Sequence, residues 1–102
     1  MNHELKIHPE HYRNVVLGLK KVEIRKNDRN YQERDLLILN EFDPKTGRYT
    51  GDQVIRKVNF IINDVPGLEP GYVVLQTSKP LSNFDLNIPE NCLELKPNNN
   101  GL

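Results

Sequence analysis

Two short, dense apolar runs constrain this chain most: Leu36-Leu37-Ile38-Leu39 and Tyr72-Val73-Val74-Leu75. Clustering of this kind reads as strands, even though only 36% of the 102 residues are apolar. A chain of this length buries one modest core without disulfides or metals, so one domain is expected. Its core should be built on strands.

The remaining elements follow from spacing. Residues 3–7 alternate polar and apolar, as a short strand does. Pro9 suits the first turn of a helix, where its missing N–H has no partner to lose. Over residues 10–19, Tyr12, Val15, Val16 and Leu19 fall on one helical face. Gly18 tolerates the left-handed conformation that ends a helix. Residues 21–26 read as a strand whose Val22 and Ile24 face the core and whose Lys21, Glu23 and Arg25 face outward. Asn27-Asp28-Arg29-Asn30 is a turn. A buried strand is expected over 35–42, and Asp43-Pro44-Lys45-Thr46-Gly47 turns the chain into a hairpin whose return starts near Tyr49. Over 53–63, Val54, Arg56, Val58, Phe60 and Ile62 share one parity. A Pro/Gly loop over 66–71 leads to the last strand, 72–77. After Pro80 asparagines accumulate. Residues 81–102 are expected to form an extension with at most a short edge strand at Leu93 and Leu95 and a disordered end. A strand, a helix and then four or five strands imply an α+β fold: a small, closed, mostly antiparallel β-barrel capped by one helix near the N-terminus, over residues 1–80.

Charge excludes one class of function. The formal net charge is zero, whereas proteins that coat nucleic acid carry a large positive excess. The segment from Lys20 to Arg34 is different, with six basic and three acidic residues. A local patch is therefore possible where a broad basic surface is not. The single cysteine, Cys92, forms no internal disulfide and has no histidine near it in sequence, so no metal site and no cofactor are expected. Met1-Asn2-His3-Glu4 has neither the basic nor the apolar part of a signal peptide, and no run is long enough to span a membrane. A cytoplasmic location is expected.

The chemistry concentrates in Gly18-x-Lys20-x-x-Glu23-x-Arg25. Glu23 and Arg25 lie two apart on one strand face and point the same way. A carboxylate beside a guanidinium can read a nucleobase edge, and Lys20 can hold a phosphate or serve as a base. Spacing alone is equally met by a solvated surface ion pair, which contributes little.

The same eight residues, Gly18-Leu19-Lys20-Lys21-Val22-Glu23-Ile24-Arg25, match the Gly-x-Lys-x-x-Glu-x-Arg signature of the ASCH domain, a branch of the PUA-like superfamily. With Arg25-Lys26-Asn27-Asp28-Arg29, Asp43-Pro44-x-Thr46-Gly47 and residues 67–75, the chain resembles small bacterial and phage ASCH-like proteins associated with RNA binding. The resemblance covers about residues 3–79. It implies a PUA-like barrel with the signature in a cleft, and RNA or a nucleotide as partner. The implied ligand-binding residues are Lys20, Glu23, Arg25, Lys26, Asn27, Arg29 and Tyr72.

Some ASCH proteins are amidohydrolases on acetylated cytidine, which gives an alternative with Lys20 and Glu23 as catalytic candidates. The threonine nucleophile of those enzymes falls at Glu23, and Glu69 is only a candidate for their glutamate. The missing threonine makes binding the expected role. Of the other side chains, Tyr31 and Tyr72 can stack on a base. His8 and His11 are expected to be solvated or to pack at the helix start, and Cys92 to be inert.

Overall fold

The computed structural model describes residues 1–80. The extension expected over 81–102, including Leu93, Leu95 and Cys92, lies outside the described residues. The elements are β1 (Asn2–Ile7), α1 (Pro9–Val16), β2 (Val22–Lys26), β3 (Leu36–Asp43), β4 (Arg48–Ile62) and β5 (Tyr72–Ser78). The five strands form one curled sheet in the order β1-β3-β4-β5-β2.

The sheet differs from the expected closed barrel in one respect that matters for the site. β1 and β2 are its two edges and do not pair with each other, so the barrel is open along a seam. β1 runs parallel to β3, and the other three pairings are antiparallel. The α+β, mostly antiparallel character holds, with one helix near the N-terminus.

Strand burial follows from the apolar runs. Leu37, Leu39, Val58, Val73 and Leu75 are the most deeply buried large side chains, joined by Leu5 and Ile7 of β1 and Val15 of α1. Two register shifts correct the reading of the long hairpin. Between Val58 and Phe60 one extra residue opposes β5, which is a bulge. Beyond it the parity of β4 inverts: Ile61 packs on the core, while Phe60 and Ile62, expected on the face of Val58, turn outward. A second shift lies between Asn40 and Phe42.

The helix is shorter than expected. Pro9 does open it, but it stops at Val16. Gly18 has φ +80°, its N–H donates to the Val15 carbonyl at 3.0 Å, and Leu19 N–H donates to the Asn14 carbonyl at 2.9 Å. This is the Schellman arrangement that a glycine permits. It leaves Val16 and Leu19 exposed, contrary to their expected place on the apolar face. Val15 alone on that face is buried, and the Tyr12 hydroxyl donates to the Gln53 carbonyl, which ties the helix to β4. The helix is not long and apolar enough to cross a membrane.

One buried polar cluster holds the start of the chain to the sheet. Asp35 accepts hydrogen bonds from His3 Nε2 at 2.8 Å, the Gln32 N–H at 2.9 Å and the Met1 amino group at 3.0 Å. Tyr31 packs edge-on against the His3 ring with centroids 4.8 Å apart. It is buried, so it is not available to stack on a base as expected. Burial pushes the Asp35 carboxyl pKa up, but the hydrogen bonds outweigh it and hold the group below its ordinary value. A carboxyl with a lowered folded pKa stabilises the fold above its unfolded pKa, and the contribution is lost as pH falls through the folded value. Asp35→Asn should therefore lower stability by about 2 kcal/mol near neutral pH. The gap between variant and wild type should shrink below about pH 4, the ordinary range of an aspartate. Urea unfolding across pH measures both. A gap that does not change with pH would contradict the role given to Asp35.

Candidate functional site

Lys20, Glu23 and Arg25 meet at the open seam. The Schellman turn at Gly18 aims Lys20 back over the start of β2. The Lys20 Nζ donates to Glu23 Oε2 at 2.9 Å. Arg25 donates to Glu23 Oε1 from Nε at 3.1 Å and from Nη2 at 3.0 Å. The same Nη2 donates to the Lys6 carbonyl at 3.1 Å, so Arg25 bridges the two edge strands.

The orientation of β2 is opposite to the expected one. Glu23 is 4% exposed and faces the interior, while Val22 and Ile24 are 42% and 61% exposed. The pairing with β5 forces this. Glu23 lies opposite Leu75 and Arg25 opposite Val73, and both β5 residues are in the core. Directly paired residues share a face, so the charged pair goes inward and the apolar pair outward.

Burying a carboxylate is unfavourable unless it is paired. Here both oxygens are engaged by cations whose own side chains are only 27% and 24% exposed. A surface ion pair is thereby excluded for these residues. Behind them stands Arg56, 5% exposed, donating to the hydroxyl and carbonyl of Thr77. Burial lowers its guanidinium pKa, and the charge of Glu23 opposes the shift. Arginine remains charged over any ordinary pH. Arg56 is not among the residues expected to act, although a charge on the apolar parity of Val54 and Val58 was its signal.

Around the cluster lies a cleft of about 410 Å³, lined by Lys6 and Ile7 of β1, His8 and His11 at the start of α1, and Lys20 with residues 22–25. Its lining carries the cations of Lys6, Lys20 and Arg25 against the single anion Glu23. Lys6 Nζ also sits 4.1 Å from the centre of the Phe42 ring. His8 and His11 are exposed, as expected, and they contribute imidazoles to this wall. The curl of the sheet brings its two edges together and so places Lys6, His8 and His11 beside β2, and their local sequence carried no sign of it.

The other expected ligand residues do not line the cleft. Lys26 is exposed at the end of β2, opposite Tyr72. Asn27 is used structurally: its N–H donates to the Gly71 carbonyl at 2.8 Å and its Oδ1 accepts from the Tyr31 N–H at 3.1 Å. Arg29 is exposed, with Nε 4.0 Å from Asp28. Tyr72 is half-buried and lines a separate hollow with Asn27 and Glu69.

Chemically, the cleft is better equipped to bind than to transfer protons. Glu23 accepts three charged hydrogen bonds, so acting as a base requires breaking them. Lys20 serves as a donor in the same network. Among the described residues no three His, Cys, Asp or Glu side chains converge as a metal site would require.

A family model described as Domain of unknown function (DUF3850) matches residues 2–77. A relative from Escherichia phage P2, described as an uncharacterized 12.9 kDa protein in the GpA 3′ region, is 44% identical over 66 residues. The match covers 65% of this chain and 55% of the phage protein, so the chain spans little more than half the length of that relative.

Proposed function

We propose that this chain, which belongs to the DUF3850 family, is an RNA- or nucleotide-binding module whose ligand enters the seam between β1 and β2. The carrying observation is the charge surplus in a partly dry site. Two half-buried cations surround one buried carboxylate, with the buried Arg56 behind them. Phosphate contact supplies most of the affinity for a nucleic acid, and a preformed group of arginine and lysine suits it. The resemblance of Gly18-x-Lys20-x-x-Glu23-x-Arg25 to the ASCH signature of PUA-like barrels supports the same reading. The saturated carboxylate gives the amidohydrolase reading less support.

Arg25→Ala should weaken binding to short single-stranded RNA about ten-fold, the effect of removing a charged hydrogen bond. If Arg25 neutralises one phosphate, the slope of log affinity against log salt should also flatten by about 0.7 in the variant. Fluorescence anisotropy at several salt concentrations reads both. Equal, negligible binding by wild type and variant to a panel of RNAs and mononucleotides would reject the proposal.

A further inference from the structure

The cationic lining of the seam is local. Going back along β1 from Lys6, the next residue on the same face is Glu4. Glu4 lines a second hollow together with Asp52, and no lysine or arginine lines it. The hollows beside Tyr72 and Tyr31 carry Asp64, Glu69 and Glu33, again without a basic side chain. On the helix side, Glu10 stands 3.7 Å from His11. A nucleic-acid strand held along its length needs a positive groove that follows successive phosphates. Here one cleft is positive and these neighbours are acidic.

Inside the cleft the positive charge exceeds what one phosphodiester needs. Lys6, Lys20 and Arg25 meet the single carboxylate of Glu23, a surplus of two, and Arg56 is buried behind them. An internal phosphodiester carries one negative charge, whereas a phosphate monoester carries about 1.5 to 2 near neutral pH and offers three terminal oxygens. The main chain adds polar groups beside this charge. The Asn27 N–H donates to the Gly71 carbonyl and the Thr77 N–H to the Lys21 carbonyl. Alternate residues of an antiparallel strand bond to the same neighbour. Glu23 and Arg25 therefore bond to β5, and Val22 and Ile24 direct their N–H and C=O groups at the seam. That is how Val22 and Ile24 line a cleft from which their side chains turn away. The Lys6 carbonyl faces the same gap, where Arg25 reaches it. Such groups can pair with a sugar or a base edge. A cleft of about 410 Å³ also falls within the ordinary range of small-molecule sites.

We propose, building on the binding role given to the seam above, that its ligand is a nucleotide bearing a phosphate monoester and not the interior of a strand. Lys6, Lys20 and Arg25 hold the phosphate, and the nucleoside lies along the edge of β2. A free nucleotide and the phosphorylated end of an RNA share this chemistry. Calorimetric titration of the full chain tests it with a short oligoribonucleotide of one sequence, prepared with a 5′-phosphate, with a 3′-phosphate and with hydroxyl ends, and with a nucleoside monophosphate. A phosphate at one end should tighten binding about ten-fold over hydroxyl ends, as an added charged contact does. Methyl esterification of that phosphate, which removes its second charge, should cancel most of the gain. In Lys6→Gln the preference should shrink. A mononucleotide that binds as tightly as the phosphorylated oligomer identifies a free nucleotide as the ligand, and a tighter oligomer identifies an RNA end. Equal affinity for phosphorylated and hydroxyl-ended oligomers would overturn this inference and leave the binding role of the seam standing. Binding to none of these ligands would reject both.

Discussion

Glu23→Gln should lower the free energy of unfolding by about 3 kcal/mol, the low end of what breaking a buried ion pair costs. The amide retains one oxygen, which can accept from either Lys20 or Arg25. Its NH₂ group then opposes the other cation, donor against donor. Neither cation can move fully into water without leaving the seam. A domain of this size has a total stability of about 5–15 kcal/mol, so the loss is a large fraction of it. Urea unfolding with an unchanged slope would read it directly. Lys20→Met alone should cost less, because Lys20 is more exposed than Glu23. The double variant should be less destabilised than the sum of the two, since residues of one network couple. If Glu23→Gln stays within about 0.5 kcal/mol of wild type, as surface substitutions do, the buried network is not what holds β2 in place.

Leu75→Ala should be as damaging by a different mechanism. Leu75 is fully buried and lies opposite both Glu23 on β2 and Ile61 on β4. Its truncation removes apolar packing and leaves a cavity that strands on both sides cannot both close, for a loss of about 2–5 kcal/mol. In a domain of this size each kcal/mol lowers Tm by about 4–8 °C. The melting temperature should therefore fall by about 10 °C or more, and calorimetry would show it. Because Leu75 backs Glu23, the RNA binding proposed for the seam should weaken as well when measured below the new melting range. A small shift in Tm would mean that the core does not run through β5.

Much of the fold was legible from local signals. The runs Leu36-Leu37-Ile38-Leu39 and Tyr72-Val73-Val74-Leu75 became β3 and β5, and the Asp43–Gly47 turn joins β3 to β4. Pro9 and Gly18 bracket the helix. The parts that were not legible depend on partners distant in sequence. The bulge after Val58 inverts one half of β4, and its cause is the fit to β5. The open seam exists because β1 pairs with β3 and leaves β2 as the other edge, which no local periodicity encodes. Tyr31 gave no sign that His3 would enclose it.

The candidate site divides the same way. By itself the sequence determined that Glu23 and Arg25 share one face of a strand and Val22 and Ile24 the other, because side chains alternate with a period of two. It also placed Lys20 on the connection between the glycine stop and that strand; the structure adds its contact with Glu23. Alternation does not say which face is inside. That was decided by pairing with β5, whose Val73 and Leu75 were already committed to the core and carried the charged face of β2 inward with them. The physical reason is that register is a long-range property: a shift of one residue would have turned Glu23 and Arg25 to water and closed the site.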